Sequence, residues 1–286
     1  MEKQIPHRLT TLGHPQRLAL FRLLMRRYPD RLPAGEIAAA LGLKASTLSA
    51  YLAALLQAGL ISQTRAGTSL SYAVDIAAVR QTLDYLWLDC CRGRADLCAT
   101  ASPLDARDPM MADRKYNVLF ICTGNSARSI FAESLLRQIA GDRFNAFSAG
   151  TRPSSALNPF ALKVLEDKGH DIAPLRARNT AEFTGPDAPV FDFVFTVCNQ
   201  AANEDCPSWD GQPVSGHWGM PDPVQATGTD AEKSLAFQQA YGALKRRIEA
   251  FAALPIATLD RIALQSAVDE IGRQSTQSTQ STEPAP

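Results

Sequence analysis

What the chain lacks narrows it first. No apolar run reaches the roughly 18 residues that a membrane-spanning helix needs, and the opening MEKQIPHRLTTLGHPQ has no apolar stretch of the kind that marks a secretory leader. A cytoplasmic location is the expectation. Cysteine is scarce, six in 286 residues. Thiols stay reduced in such a compartment, so disulfide scaffolding is a poor explanation for them and metal, metalloid or redox chemistry a better one. Histidine is scarcer, four in all and none between His14 and His170. Net charge is zero, with 29 Lys+Arg against 29 Asp+Glu. That balance hides an asymmetry: up to Asp75 there are nine basic residues and four acidic ones. A basic first segment points toward nucleic acid.

What is present divides into two patterns. Up to Cys98 the periodicity reads helix, helix, helix, hairpin, helix. HPQRLALFRLLMRR carries Leu18, Phe21, Leu24 and Met25 at helical spacing, GEIAAALGL stops near Gly42, and ASTLSAYLAALLQAGLI opens on Ser46 and Thr47, both good N-cap types. LISQTRAGTSLSYAV has β-rich runs on either side of Ala66-Gly67, and DIAAVRQTLDYLWLDCC is helical with Ile76, Val79, Leu83, Leu86 and Trp87 as its stripe. Residues 99–114 are small, polar and proline-containing, as a linker is. From Tyr116 strands alternate with helices: YNVLFI, FNAFSAG and FDFVFTV are strands, with helices at about 128–140, 158–169 and 230–252. Such alternation implies a parallel sheet covered by helices. The expected boundaries are a first domain over 1–98, a second over 115–254, a helical extension over 255–272 and a low-complexity, disordered tail over 273–286.

Two short helices joined by a glycine-containing turn and followed by a hairpin match a winged helix-turn-helix. Lys44, Ser46, Thr47, Ser49 and Tyr51 then lie where base edges and phosphates are reached, and Arg65 lies in the wing. Over residues 7–90 this segment resembles the ArsR/SmtB family of winged-helix repressors. The resemblance implies a homodimer that binds operator DNA and leaves it when a metal or metalloid binds. In many members a cysteine pair precedes the recognition helix; GEIAAAL here has none.

Three cysteines, Cys90, Cys91 and Cys98, sit instead in LDCCRGRADLC, a pattern that resembles one subclass of arsenic-responsive repressors. Soft thiolates favour soft ions. Trivalent arsenic takes three sulfurs in a pyramid, whereas zinc wants four ligands, and no nearby histidine supplies the fourth. Arg92 and Arg94 would favour the thiolates. The reading is an As(III) site, with As(III) as inducer. The alternative is that Cys90 and Cys91 are buried small apolar residues.

VLFICTGNSARSIFAE is a different kind of signal. A strand enters Cys122, a turn runs through Thr123, Gly124, Asn125, Ser126 and Ala127, and a helix opens at Arg128 and Ser129. Backbone N–H groups wrapped at a helix N-terminus make an anion cradle. Arg128 offers a planar fork to two oxyanion oxygens, Gly124 permits the tight backbone, and the helix end with Arg128 is expected to lower the Cys122 pKa. Ser129 can donate to the thiolate. The loop resembles that of low-molecular-weight tyrosine phosphatases and of the arsenate reductases that share their fold, a four-stranded parallel sheet. CTGNS, the Cys198–Cys206 pair and HWGMPDP resemble the reductases, over about residues 116–254. The resemblance implies that Cys122 attacks arsenate, Asp222 acts as general acid, Cys198 and Cys206 complete a thiol cascade, and thioredoxin is the reductant. No cofactor is required, although relatives hold a potassium ion near positions matched by Asn125 and Glu133. A tyrosine phosphatase tethered to DNA and a non-catalytic oxyanion sensor are the competing readings.

Overall fold

The computed structural model describes residues 4–66, 69–92, 114–185, 187–204, 209 and 211–273. Cys98, Arg94 and Cys206 fall outside the described residues, as do 99–113 of the linker and 274–286 of the tail. The chain divides into two units, residues 1–101 and 102–286.

The first unit opens with α1 (Gln4–Leu12), a helix that the sequence reading did not include, and α2 (Pro15–Arg26). The side chain of His14 caps α2 by accepting from the Gln16 amide, and Pro15 follows at the first helical position, where its missing N–H costs nothing. Strand β1 (Leu32–Pro33), α3 (Ala34–Leu41), α4 (Ala45–Gln57), β2 (Ile61–Ala66), β3 (Ser69–Val74) and α5 (Ile76–Asp84) complete it. The strands form an antiparallel sheet in the order β1-β3-β2. Helix α3 ends on Gly42 in the left-handed conformation, φ 62°, and the axis turns by 111° into α4. That is the geometry of a helix-turn-helix, and the β2–β3 hairpin is its wing.

Three expectations need correction. Ser46 and Thr47 do not cap α4: the cap position is Lys44, without a side-chain bond, so both lie in the first turn. In α2, Leu18 and Met25 are exposed while Leu20, Leu23 and Leu24 are buried. The i,i+3/i+4 template admits either stripe in so leucine-rich a helix, and packing against Leu32, Ile37, Leu52 and Leu55 selects one. In α5 Ile76 and Val79 pack against the core as expected, with Ala78 and Thr82 buried beside them, but Leu83 points to solvent. Beyond α5 the helix widens into a π-helical turn over Tyr85–Cys90.

The second unit contains β4 (Tyr116–Cys122), α6 (Arg128–Ala140), β5 (Phe144–Gly150), α7 (Pro159–Asp167), β6 (Phe193–Thr196), α8 (Asn199–Asn203), β7 (Val214–His217), α9 (Asp230–Ala252) and α10 (Arg261–Arg273). All strand pairs are parallel, in the order β5-β4-β6-β7. The four-residue β7 shows no alternating pattern, so periodicity did not find it. The core is aromatic: Phe120, Phe195 and Trp218 stack across the sheet, with the Phe195 and Trp218 ring centres 4.0 Å apart. Helix α10 belongs to this core. Leu264, Val268 and Ile271 are buried in it, the Trp218 indole donates to the Val268 carbonyl at 3.2 Å, and a Cβ on Gly216 would stand 2.7 Å from Val268, so only glycine lets α10 lie against β7 there.

The chain leaves β4 for β5 on one side and then returns to place β6 on the other. Where strand order reverses, the loops diverge and leave a crevice beyond the carboxyl ends of the strands. Cys122 is the last residue of β4, at the mouth of that crevice.

Candidate active site

The loop from Cys122 to Arg128 is built by what its carbonyls do. The amides of Thr151, Arg152, Ser154 and Asn158 donate to the carbonyls of Cys122, Thr123, Gly124 and Ser126, at 3.1, 2.9, 2.8 and 3.0 Å. The segment after β5 thus holds four loop carbonyls facing away from the anion cradle, which leaves the opposite side of the loop for N–H groups. A Cβ on Gly150 would stand 2.6 Å from the Thr123 carbonyl, so glycine there is what allows this approach. The unusual backbone conformation falls on Asn125, φ 44°, and not on Gly124, whose φ is not positive.

Asn125 is fully buried and tied on three sides. Its amide N–H donates to Cys122 Sγ at 3.1 Å, its side-chain nitrogen to Ser129 Oγ at 2.8 Å and Ser148 Oγ at 2.9 Å, and its side-chain oxygen accepts from the Arg178 amide at 2.7 Å. These bonds hold a left-handed residue that otherwise costs of order 1–3 kcal/mol. Behind it, Ser148 donates to the buried Glu133 carboxylate at 2.5 Å, and Arg137 and Arg178 pair with the same carboxylate at 2.5 and 2.7 Å. Glu133, Ser148, Gly150 and Arg178 therefore support the loop. The sequence reading assigned no such role to the last three, because Arg178 lies 53 positions from Asn125 and no local pattern ties it to the loop.

Cys122 Sγ lies 2.9 Å from Ser129 Oγ. Its expected low pKa is not observed. Burial, and next the nearby Cys198, push the thiol up, while Ser129 and Arg128 pull the other way without prevailing. One reason is visible: Arg128 directs its charge to Asp222, at 2.7 Å, with a longer bond to the Met220 carbonyl at 3.4 Å. Two of the predicted catalytic groups are thus joined to each other. Asp222 also caps the short turn Pro223–Gln225 by accepting from the Val224 amide. The acid loop is fixed from behind, where Arg247 donates to the carbonyls of Trp218 and Gly219 at 2.6 and 3.1 Å. His217 bridges Thr196 and Asn199.

Cys198 is buried, accepts from the Ala201 amide at the start of α8, and lies 3.4 Å from Thr123 Oγ1. The segment after it is partly helical. Arg152 pairs with Glu204 at its far end, at 2.7 Å.

In the first unit, Lys44, Ser46 and Ser49 are exposed on the opening turns of α4 and Arg65 is exposed on the wing. Tyr51 is half-buried and packs against His14, ring centres 5.1 Å apart. Ser49 donates to the Ala45 carbonyl. Cys90 is exposed and Cys91 half-exposed at the end of the π-helical turn, so Cys90 is not a core-filling residue. Arg92 follows in a left-handed conformation, φ 52°.

A parallel sheet with a thiol, an arginine and bound-in serines on a strand-to-helix loop defines a phosphatase-type oxyanion site. Residues 117–264 match the family described as low molecular weight phosphotyrosine protein phosphatase, and the chain belongs to that family. Residues 12–64 match a helix-turn-helix domain. Within the family the chain is similar to arsenate reductases. That of Bacillus licheniformis is 37% identical over 139 residues, 48% of this chain and 96% of the relative. That of Bacillus subtilis is 36% identical over 136 residues, 47% and 94% of the two chains. An arsenate reductase solved in a phosphate-binding state is 26% identical, covering 48% of this chain and 97% of its own, with a TM-score of 0.38. The chain is a fusion of a helix-turn-helix domain with a phosphatase-fold domain of the arsenate reductase type.

Proposed function

We propose that the second domain reduces arsenate to arsenite and that the first represses an arsenic-resistance operator until arsenite binds it. The observation that carries the enzymatic half is Cys198, a second buried thiol at a helix N-terminus beside Thr123 of the oxyanion loop. Phosphate ester hydrolysis has no use for it, and thiol-dependent reduction requires it.

The chemistry follows from the residues. The oxyanion enters the loop of Thr123, Gly124, Asn125, Ser126 and Ala127 and takes over Arg128 from Asp222. The Cys122 proton passes to Asp222, released from Arg128, as Sγ bonds to arsenic. Asp222 hands that proton to a hydroxyl oxygen of the arsenate, which leaves as water. Cys198 Sγ then attacks Cys122 Sγ. The sulfur–arsenic electron pair stays on arsenic, so As(V) becomes As(III) as the disulfide forms. Cys206 attacks Cys198, freeing the Cys122 thiolate, and thioredoxin reduces the Cys198–Cys206 disulfide. Because Cys198 is buried and caps α8, that last exchange requires the start of α8 to open.

No resident cation enters this reading. The carboxylate that would draw potassium, Glu133, already carries the guanidinium groups of Arg137 and Arg178, and Ser148 spends its hydroxyl hydrogen on it. The donor set is a neutralised one and does not fit a further cation.

In the regulatory half, a homodimer places two copies of α4 in successive major grooves through Lys44, Ser46, Thr47 and Ser49, with Arg65 on the backbone. Cys90, Cys91 and Cys98 take up As(III) as three thiolates. Two measurements test the whole. Arsenate-dependent NADPH oxidation with thioredoxin and thioredoxin reductase is expected for wild type and lost in Cys198→Ser; its absence in wild type sinks the enzymatic half. Arsenite is expected to release the protein from the DNA upstream of its coding sequence, and the Cys90, Cys91 and Cys98 serine variants to stay bound.

A further inference from the structure

Arg8 is an anomaly in the first unit. It lies on α1, is 5% exposed, and has no carboxylate partner among the described residues. Burying an unpaired guanidinium is costly, and the cost falls with each N–H group that finds a neutral acceptor, as those of Nε and Nη1 do. Here the acceptors come from two elements. Nε donates to the carbonyl of Ala58, the C-cap of α4, at 3.2 Å. The two hydrogens of Nη1 are shared among the Ala78 carbonyl, Gln81 Oε1 and Thr82 Oγ1 of α5, at 3.1, 2.9 and 3.2 Å. The charge also suits its place, because the carboxyl end of α4 carries the negative end of the helix dipole and carbonyls without partners in the helix. A Cβ on Gly59 would come within 3.8 Å of the guanidinium.

The two ends of this bridge belong to the two functional parts of the domain. Helix α4 carries Lys44, Ser46, Thr47 and Ser49 at its start and Ala58 at its finish, so a force applied at Ala58 tilts the whole rod. Helix α5 runs from Ala78, Gln81 and Thr82 straight through the π-helical turn to Cys90 and Cys91, with no break between. A π-helical turn is a wide turn that marks functional joints in helices. Plain packing would need only an apolar residue at position 8. A planar guanidinium, through Nε on one side and Nη1 on the other, joins two backbones in fixed relative position.

We propose that Arg8 is the positioning residue that couples the cysteine-bearing helix to the DNA-reading helix: closure of the thiols on As(III) shifts α5, and Arg8 carries that shift to the end of α4. The proposal rests on the arsenite-release reading given above and names the route by which release occurs.

The test uses the full chain and sodium arsenite, with a fluorescent duplex of the DNA upstream of its coding sequence. Affinity is measured by anisotropy with and without arsenite, and arsenite uptake by the ultraviolet absorption of the arsenic–thiolate bonds. In wild type, arsenite is expected to weaken DNA binding by about tenfold or more, the range of a working allosteric coupling. In Arg8→Gln, DNA affinity without arsenite and arsenite uptake are expected to match wild type, while the arsenite effect falls to about twofold or less. Gln81→Ala combined with Thr82→Val cuts only the α5 side and is expected to give the same uncoupling, which covers the case in which Arg8→Gln does not fold. Folded variants released by arsenite as fully as wild type overturn the proposal. So does a folded variant that has lost DNA binding before arsenite is added, since Arg8 would then be a strut for α4 alone. Wild-type protein that arsenite does not release overturns the underlying reading, a result separate from either.

Discussion

The two thiol sites of this chain contrast in how they are held. Cys122 is buried at a strand end, and its sulfur receives the Asn125 amide and faces Ser129 within a network that runs through Ser148 to Glu133 and two arginines. Cys90 and Cys91 lie at an open helix end, exposed and half-exposed. The first arrangement suits a reacting atom that must meet its substrate in one geometry. The second suits ligands that close on an ion and move as they do so. A buried, bonded thiol at one site and exposed thiols at the other fit the enzyme and the sensor proposed for the two domains.

That contrast can be broken by mutation, beginning where the effect is largest. Cys122→Ser and Arg128→Lys are each expected to lower arsenate reduction by about a thousandfold or more, measured as coupled NADPH oxidation, because one removes the nucleophile and the other the bidentate fork. Glu133→Gln leaves Arg178 and the half-buried Arg137 without their shared carboxylate and is expected to cost roughly 3–5 kcal/mol in urea unfolding of the second domain. Gly150→Ala forces the Thr123 carbonyl and Asn125 aside and is expected to cost about 1–3 kcal/mol, with weaker phosphate binding by calorimetry.

Iodoacetamide separates the two sites by rate. Exposed Cys90 is expected to be modified first at neutral pH. Cys122 is expected to react slowly there and to gain roughly tenfold per pH unit through the ordinary thiol range and above it, because burial favours the protonated form and only the thiolate reacts. Fast, pH-independent labelling of Cys122 at neutral pH would show that the loop and Arg128 outweigh burial. Smallest of all, Cys90→Ser is expected to change stability by no more than about 0.5 kcal/mol, as an exposed substitution away from any core.

Legibility differed between the parts for physical reasons. The Cys122–Ser129 loop was readable because anion cradle, nucleophile and helix start are contiguous, and one short window contains the machinery. Asp222, Cys198 and Cys206 lie far along the chain from that loop and were found by resemblance alone; the structure brings Asp222 to Arg128 and Cys198 to Thr123, and Cys206 is outside the described residues. Helix α1 was missed because Ile5, Arg8 and Thr11, the face it buries, do not form an apolar stripe. The Cys122 thiol was expected to be acidic because helix end and arginine are visible in sequence, whereas burial and the pairing of that arginine with Asp222 are not.

The sequence by itself determined the local elements, the helix-turn-helix and the oxyanion loop, because each depends on residues within a few turns of one another. Tertiary structure alone decided which face of α2 is buried and which arginines neutralise Glu133. It alone placed a glycine where β5 meets the loop, and it alone spent a buried guanidinium on joining α5 to α4. Those outcomes depend on groups separated by tens of residues and brought together by burial, where an unpaired charge or an extra methyl group has nowhere to go.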